Sequence, residues 1–430
     1  MNPLSKTKTL FALVVATLAL ICISTCAADE ETGTVKFVES YPAETPLDLP
    51  GLDEATTVWP QVIEKSKHRF RVASFYYSRI GDGEDAAAPE GAPDLLAPIL
   101  DKLAAAAGRG VRVQLLADGR FQQTYPEVPA WMKTVPGVEV RILDAEARWG
   151  GVLHAKYFLS DDDVLYVGSQ NWDWRALDQI HELGVLVRHP QLAADLGRIF
   201  DLDWELAGTG PTAAGDPSPA AKTSQAGLFD LPGSTVVTDQ GDTVTALLAA
   251  SPAAALPTGI PWDLPLLVEM IDAARDSLHL QLLSYGVTDR ENRLFDDLDR
   301  ALRRAAVRGA VVRIILSNWS KSSYRLPWIK SLAVLPNVEI RFTNIPEYSG
   351  GFIPFARVEH AKYLTVDGHL LWIGTSNWSR GYFHDSRNVS LFFRGPGATR
   401  DPDEFFNLSW FGPYAETVDP GAEYAPPKRD

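Results

Sequence analysis

Cysteine is nearly absent: the chain has two, Cys22 and Cys26, both inside its first 28 residues. The rest has no thiol, which excludes a disulfide scaffold, a thiolate zinc site and a cysteine nucleophile. No HExxH segment is present either. The longest apolar run, LFALVVATLALICI, has about fourteen residues against the roughly 20 that span a bilayer. Positive charge is also scarce. Lys and Arg number 40 against 55 acidic residues, a balance of −15 that becomes −17 without Lys6 and Lys8. Such a surface disfavours long electrostatic tracking along nucleic acid, although a local basic cleft can still accept a strand end.

Against this background one pattern occurs twice: HAKYFLSDDDVLYVGSQNW from His154 and HAKYLTVDGHLLWIGTSNW from His360. Both copies read H-x-K-x4-D-x6-G-x2-N. The first places His154, Lys156, Asp161, Gly168 and Asn171, and the second His360, Lys362, Asp367, Gly374 and Asn377. In an extended segment, residues two apart share a face, so each copy presents an imidazole beside a fixed cation. An Asn from the next strand adds an amide donor. Two such sets facing one another suit a phosphodiester. The ammonium and amide groups hold the non-bridging oxygens, one His attacks phosphorus, and the other protonates the leaving oxygen. The protein supplies the cations, so no metal or other cofactor is expected. A lone H-x-K is usually only a surface pair; duplication of every offset is what distinguishes this one.

These residues resemble the phospholipase D superfamily, whose HKD signature is the pattern just described. VLHAKYFLSDDDVLYVGSQNWDWRAL, HELGV, IPFARVEHAKY and IGTSNWSRGYF more narrowly resemble the endolysosomal phospholipase-D-like 5′ exonucleases and the poxvirus envelope phospholipases. The resemblance runs from about Val58 to Phe393. It implies a ping-pong reaction through a phosphohistidine, with His154 as nucleophile and His360 as general acid and then base. Lys156, Lys362, Asn171 and Asn377 would bind the phosphoryl group, and Asp161 and Asp367 would brace the strands. Glu182, 28 positions after His154, falls where the family places a carboxylate that orients that His. The same offset after His360 lands on Asn388. Ser169 and Thr375, which follow the motif glycines, are turn formers that also approach the site.

Periodicity supports a duplicated α/β unit. RFRVASFYY, VRVQLLA and VEVRILD alternate with helical PDLLAPILDKLAAAAGRG, and LHLQLLSYG, VVRIILS and VEIRFTN with FDDLDRALRRAAVRG. The expected fold is two similar lobes, each a largely parallel sheet covered by helices, with the site in the cleft between them. The expected boundaries are a secretory signal at 1–28, a first lobe at 29–206 with motif 154–171, and an Ala/Pro/Gly-rich connection at 207–261. A second lobe at 262–415 carries motif 360–377, and a frayed tail follows at 416–430. In the connection, GSTVVTD reads as a strand and VTALLAA as a short helix. The signal implies a secreted or periplasmic protein, or a lumenal one anchored by an uncleaved segment.

The motif does not select the substrate. The acidic balance makes a phospholipid, hydrolysed or transferred at its phosphodiester, the leading expectation, with association at the membrane surface. The narrower family resemblance makes 5′ cleavage of single-stranded nucleic acid the alternative. A non-catalytic membrane-associated interaction protein is a third reading, which two intact motifs oppose. Of the aromatics near the motifs, Trp172 and Trp378 are expected in the core, while GGFIPFAR is expected at the rim.

Overall fold

The computed structural model describes residues 32–83, 88–209, 226–289 and 291–429; the proposed signal segment lies outside them. In the first repeat, β-rich Arg69–Ser74, Arg112–Asp118 and Val138–Leu143 form three adjacent parallel strands. Helix Leu96–Gly108 crosses between the first two. It buries Leu96, Ile99, Leu100, Leu103, Ala106 and Ala107, the three-to-four spacing of an apolar stripe. The second repeat matches this with parallel Ser277–Leu282, Val311–Ser317 and Val338–Thr343. Its crossover helix, Asp297–Arg308, ends at Gly309, whose φ of 104° caps it in the left-handed region.

The expected parallel sheet thus forms the outer three strands of each repeat, and the strands carrying the motifs are antiparallel. Hairpin Tyr157–Ser160/Val164–Gly168 lies along Arg69–Ser74, followed by Glu182–Arg188 and Gly33–Ser40. Hairpin Tyr363–Val366/Leu370–Gly374 lies along Ser277–Leu282, followed by Asn388–Arg394 and Thr243–Ser251. Strand Ser234–Thr238 pairs with both Gly33–Ser40 and Thr243–Ser251, so one sheet runs through both repeats. From Gly33 onward the chain is a single compact unit.

Two sequence expectations change here. Thr243–Ser251 is the counterpart of Gly33–Ser40: Ser251 sits opposite Asn388 as Ser40 sits opposite Glu182. The segment taken as a connection therefore contributes the inner strand of the second repeat, and VTALLAA is strand rather than helix. Its Val244, Ala246, Leu248 and Ala250 alternate into the core, a period of two that the alanine content obscures. The tail is docked. Ala415–Thr417 pairs with Val338–Thr343, Tyr424 packs on Phe342 at 5.3 Å, and the Arg429 carbonyl accepts from Phe355 N at 2.8 Å.

Candidate active site

Each motif hairpin turns at its Asp. Asp161 and Asp367 both have φ of 50°, a left-handed value that Asp tolerates better than most residues. The Asp161 carboxylate accepts from the backbone N–H of Lys67, His68 and Arg69 at 2.8–3.1 Å. Asp367 accepts from Arg275, Asp276 and Ser277, each at 2.8 Å. Both acids tie a hairpin to the start of its neighbouring strand, away from the imidazoles, as a bracing role requires. Asp367→Ala should destabilise the fold by about 1–3 kcal/mol while leaving turnover per folded molecule nearly unchanged, which urea unfolding and active-site titration would check.

The motif side chains come together across the junction of the repeats. Parallel bridges join Leu153 to Arg387 and His181 to Glu359. His154 N–H donates to the Arg387 carbonyl at 3.0 Å, and His360 N–H to the His181 carbonyl at 2.8 Å. Each motif therefore starts against the strand that follows the other motif. Consequently Glu182 does not back His154. Its carboxylate receives His360 Nδ1 at 2.7 and 2.8 Å, and Asn388 Oδ1 meets His154 Nδ1 at 3.1 Å. Thr375 Oγ1 donates to Asn388 Oδ1 at 2.8 Å, and Asn388 Nδ2 donates to the Tyr382 carbonyl at 2.8 Å, so the amide is fixed from both sides. Ser169 exchanges hydrogen bonds with the Leu183 backbone at 3.0 and 3.1 Å, fixing the strand that carries Glu182.

Lys156 Nζ donates to the His154 carbonyl at 2.6 Å, and Lys362 Nζ does the same to the His360 carbonyl. Asn171 Nδ2 donates to Tyr76 Oη at 3.3 Å, while its buried Oδ1 has no hydrogen-bond partner. Asn377 Oδ1 accepts from Ser284 N at 3.3 Å. The two histidines and two lysines of the motifs are enclosed, with His154 5% and His360 8% exposed and both lysines at most 1%.

Enclosure sets the electrostatics. Burial, then the Lys156 and Lys362 ammoniums and His360, push His154 well below its ordinary value. Burial and the same two cations also depress His360. Burial lowers Lys362 to about 7 against the pull of Glu182, and raises Glu182 to about 7 against the pull of Lys362. A nucleophilic imidazole must start neutral, which the neutral Asn388 partner and two nearby cations favour for His154. A general acid must start protonated, which a carboxylate partner favours for His360. Because the lysines and His360 must be protonated, kcat/KM should fall with rising pH, first as the depressed His360 loses its proton below its ordinary value and again as Lys362 loses its own at about 7. Because His154 is depressed, the acid limb should lie well below its ordinary value. A pH–rate profile with its maximum on the acid side of neutrality is the expected result, and a maximum at pH 8–9 the contrary one.

An aromatic wall adjoins His154. Phe75 and Tyr382 lie 4.9 and 4.8 Å from its ring centroid, and Lys156 Nζ lies 5.1 Å from that of Phe75. Phe75 packs on Phe121 at 4.0 Å, and Tyr76 stacks on Phe121 at 5.7 Å and on Tyr125 at 5.0 Å. The sequence reading placed Phe75 and Tyr76 inside a strand. That strand ends at Ser74, and the two rings leave it toward the site. Trp172 and Trp378 are core, as expected, the former stacked on Trp59 at 5.0 Å. The GGFIPFAR loop is half-buried beneath the tail, with Lys428 Nζ 3.8 Å from the Phe352 ring centroid. A cavity of about 140 Å³, lined among others by Lys36, Val58, Lys65 and Asp161, lies apart from the catalytic group, none of whose members line it.

Two histidines, two lysines and two asparagines, assembled from duplicated hairpins on one sheet, define a phosphodiesterase of the phospholipase D superfamily. The chain belongs to the family described as cardiolipin synthase, PLD-like domain, which matches residues 60–204 and 267–410. It is 30% identical over 408 residues to the 5'-3' exonuclease PLD3 of Macaca fascicularis, covering 90% of this chain and 81% of that protein. It is 27% identical to a probable phospholipase D of Caenorhabditis elegans, covering 91% and 72%. Phospholipase D Z of Dictyostelium discoideum is also 27% identical, with 90% and 91% covered. The phosphatidylserine synthase of Haemophilus influenzae shares the fold with a TM-score of 0.60 at 12% identity, covering 90% of this chain and 87% of that one. Among the described residues, no helix is long and apolar enough to cross a membrane.

Proposed function

We propose that the protein shortens single-stranded nucleic acid from its 5′ end, outside the cytosol and without a metal, through a phosphohistidine on His154. His154 Nε2 attacks phosphorus, and the bond from phosphorus to the leaving oxygen breaks as His360 gives that oxygen its proton. His360 then takes a proton from water, the water oxygen bonds phosphorus, and the bond from phosphorus to nitrogen breaks. Lys156, Lys362, Asn171 and Asn377 hold the non-bridging oxygens throughout.

The observation that carries the substrate class is the wall of Phe75, Tyr76, Phe121 and Tyr125 against His154. Rings beside a cationic phosphate site suit a stacked nucleobase next to its phosphodiester. The 30% identity to exonucleases points the same way. A phospholipid is the second reading, favoured by the relatives named phospholipase D and by the acidic balance.

The test offers 5′-hydroxyl single-stranded oligonucleotide and phosphatidylglycerol vesicles to the purified protein, with EDTA throughout. Stepwise 5′ shortening supports the proposal. Head-group release without shortening transfers the activity to lipid, and loss of activity with EDTA contradicts the metal-free centre. Phe75→Ala should lower kcat/KM on oligonucleotide by about 5–150-fold, the 1–3 kcal/mol of one stacked base, and by less on a phosphodiester lacking a base, where only the confinement of His154 is lost.

A further inference from the structure

Behind the catalytic imidazoles lies a second His–carboxylate pair that the chemistry above does not use. His181 and Glu359 immediately precede Glu182 and follow Val358 on the two chains that meet at the junction, Glu359 being the residue before His360. Side chains alternate along extended backbone, so Glu182 and His360 face the catalytic group while His181 and Glu359 face the opposite way. The second pair is sealed, at 0% and 1% exposure, with His181 Nδ1 2.8 Å from Glu359 Oε2. Glu359 also accepts from Gln281 Nε2 at 2.6 Å and from Ser409 Oγ at 2.9 Å. Phe405 stacks on the His181 ring at 4.2 Å. Among the described residues His181 Nε2 has no hydrogen-bond partner, so the ring is held through Nδ1, toward Glu359. The His181 carbonyl receives both His360 N–H at 2.8 Å and Ala361 N–H at 3.2 Å.

We propose that the His181–Glu359 pair is a positioning device for the general acid. By locking the peptide from which Glu182 projects onto the peptide from which His360 projects, it sets the reach of His360 toward the leaving oxygen. At His154 the two bridging residues do not pair through their side chains. Arg387 and Leu153 occupy the corresponding places, and Arg387 is turned to Asp203. The clamp thus serves the proton donor rather than the nucleophile, and the inference rests on the assignment of His360 as acid.

Leaving-group dependence tests it. Departure of p-nitrophenolate needs no proton, whereas departure of a nucleoside hydroxyl does. His181→Leu should lower kcat on oligonucleotide by about 10–100-fold, within the 10²–10⁴-fold worth of acid catalysis, with KM nearly unchanged. The first-turnover burst of p-nitrophenolate from a p-nitrophenyl phosphodiester should fall by less than about threefold. His181→Asn, whose amide can occupy the Nδ1 position, should restore most of the oligonucleotide rate. An equal fall on both substrates, or no fall on either, overturns the clamp, and so does failure of the Asn variant to recover in protein that melts as the parent does. His360→Ala run in parallel separates the two claims. If it loses the oligonucleotide reaction and the p-nitrophenolate burst equally, the acid assignment itself fails; if it spares the burst while His181→Leu does not, only the clamp fails.

Discussion

His154→Ala should abolish turnover of every phosphodiester, by about 10⁴-fold or more, with the fold intact. The expectation follows from what the side chain touches. Its Nδ1 is committed to Asn388, leaving Nε2 as the attacking atom, and the rings of Phe75 and Tyr382 confine its plane. No other imidazole can take over, because His360 is committed to Glu182 on the opposite side of the junction. His360→Ala should cost as much on substrates with alkoxide leaving groups; on an activated ester it should keep the first-turnover release of the leaving group and lose later turnovers, because the water that clears the phosphohistidine also needs His360. First-turnover kinetics on an oligonucleotide and on a p-nitrophenyl ester separates the two histidines, with a burst of p-nitrophenolate from His360→Ala and none from His154→Ala. Equal, leaving-group-independent losses would mean that both act in binding alone.

The second large effect concerns stability. Arg387 and Asp203 form an ion pair with both side chains at 0% exposure and two hydrogen bonds of 2.8 Å. The guanidinium also donates to the Ser251 and Ala255 carbonyls at 2.8 and 2.6 Å. It thereby joins helix Pro190–Gly208 of the first repeat to the inner strand of the second. Arg387→Met should destabilise the protein by about 3–5 kcal/mol, because Asp203 is left buried without its counter-charge. Burial already raises the Asp203 carboxyl above its ordinary value, and Arg387 opposes that shift. Without Arg387 the folded-state value rises further, so the variant's deficit is largest at high pH and shrinks as the pH falls and Asp203 takes up a proton. Urea unfolding at pH 5 and pH 8 should show this, and Arg387→Met/Asp203→Leu should recover much of the loss.

The candidate site was legible because its motif is written twice at fixed offsets; His154, Lys156, Asn171 and their counterparts come together at the junction of the repeats. The partners of the two histidines were not. An offset of 28 reports distance along one copy, whereas the contacts that matter span 178 residues from Glu182 to His360 and 234 from His154 to Asn388. Period-two reasoning assigns a face to each residue but does not say which strand lies beside it, and the exchange of partners at the junction is a property of the assembled sheet. The same limit hid Thr243–Ser251. Alanine is a poor strand former, and this strand is stabilised by pairing with Asn388–Arg394 and by its buried face rather than by propensity. Phe75 and Tyr76 were read as part of the strand, because nothing in their local pattern marks Ser74 as the residue at which it ends and the rings turn to the site.

The central claim is that one histidine carries the phosphoryl group while the other only moves protons. Rapid-quench labelling addresses it most directly: an oligonucleotide with a ³²P-labelled scissile phosphate is mixed with the parent protein and with His360→Ala, quenched in base, and the labelled peptide is mapped. Label on His154, transient in the parent and accumulating in the variant with an activated substrate, is the predicted result. Label on His360 of the parent, or no acid-labile phosphoenzyme in either protein, would contradict it.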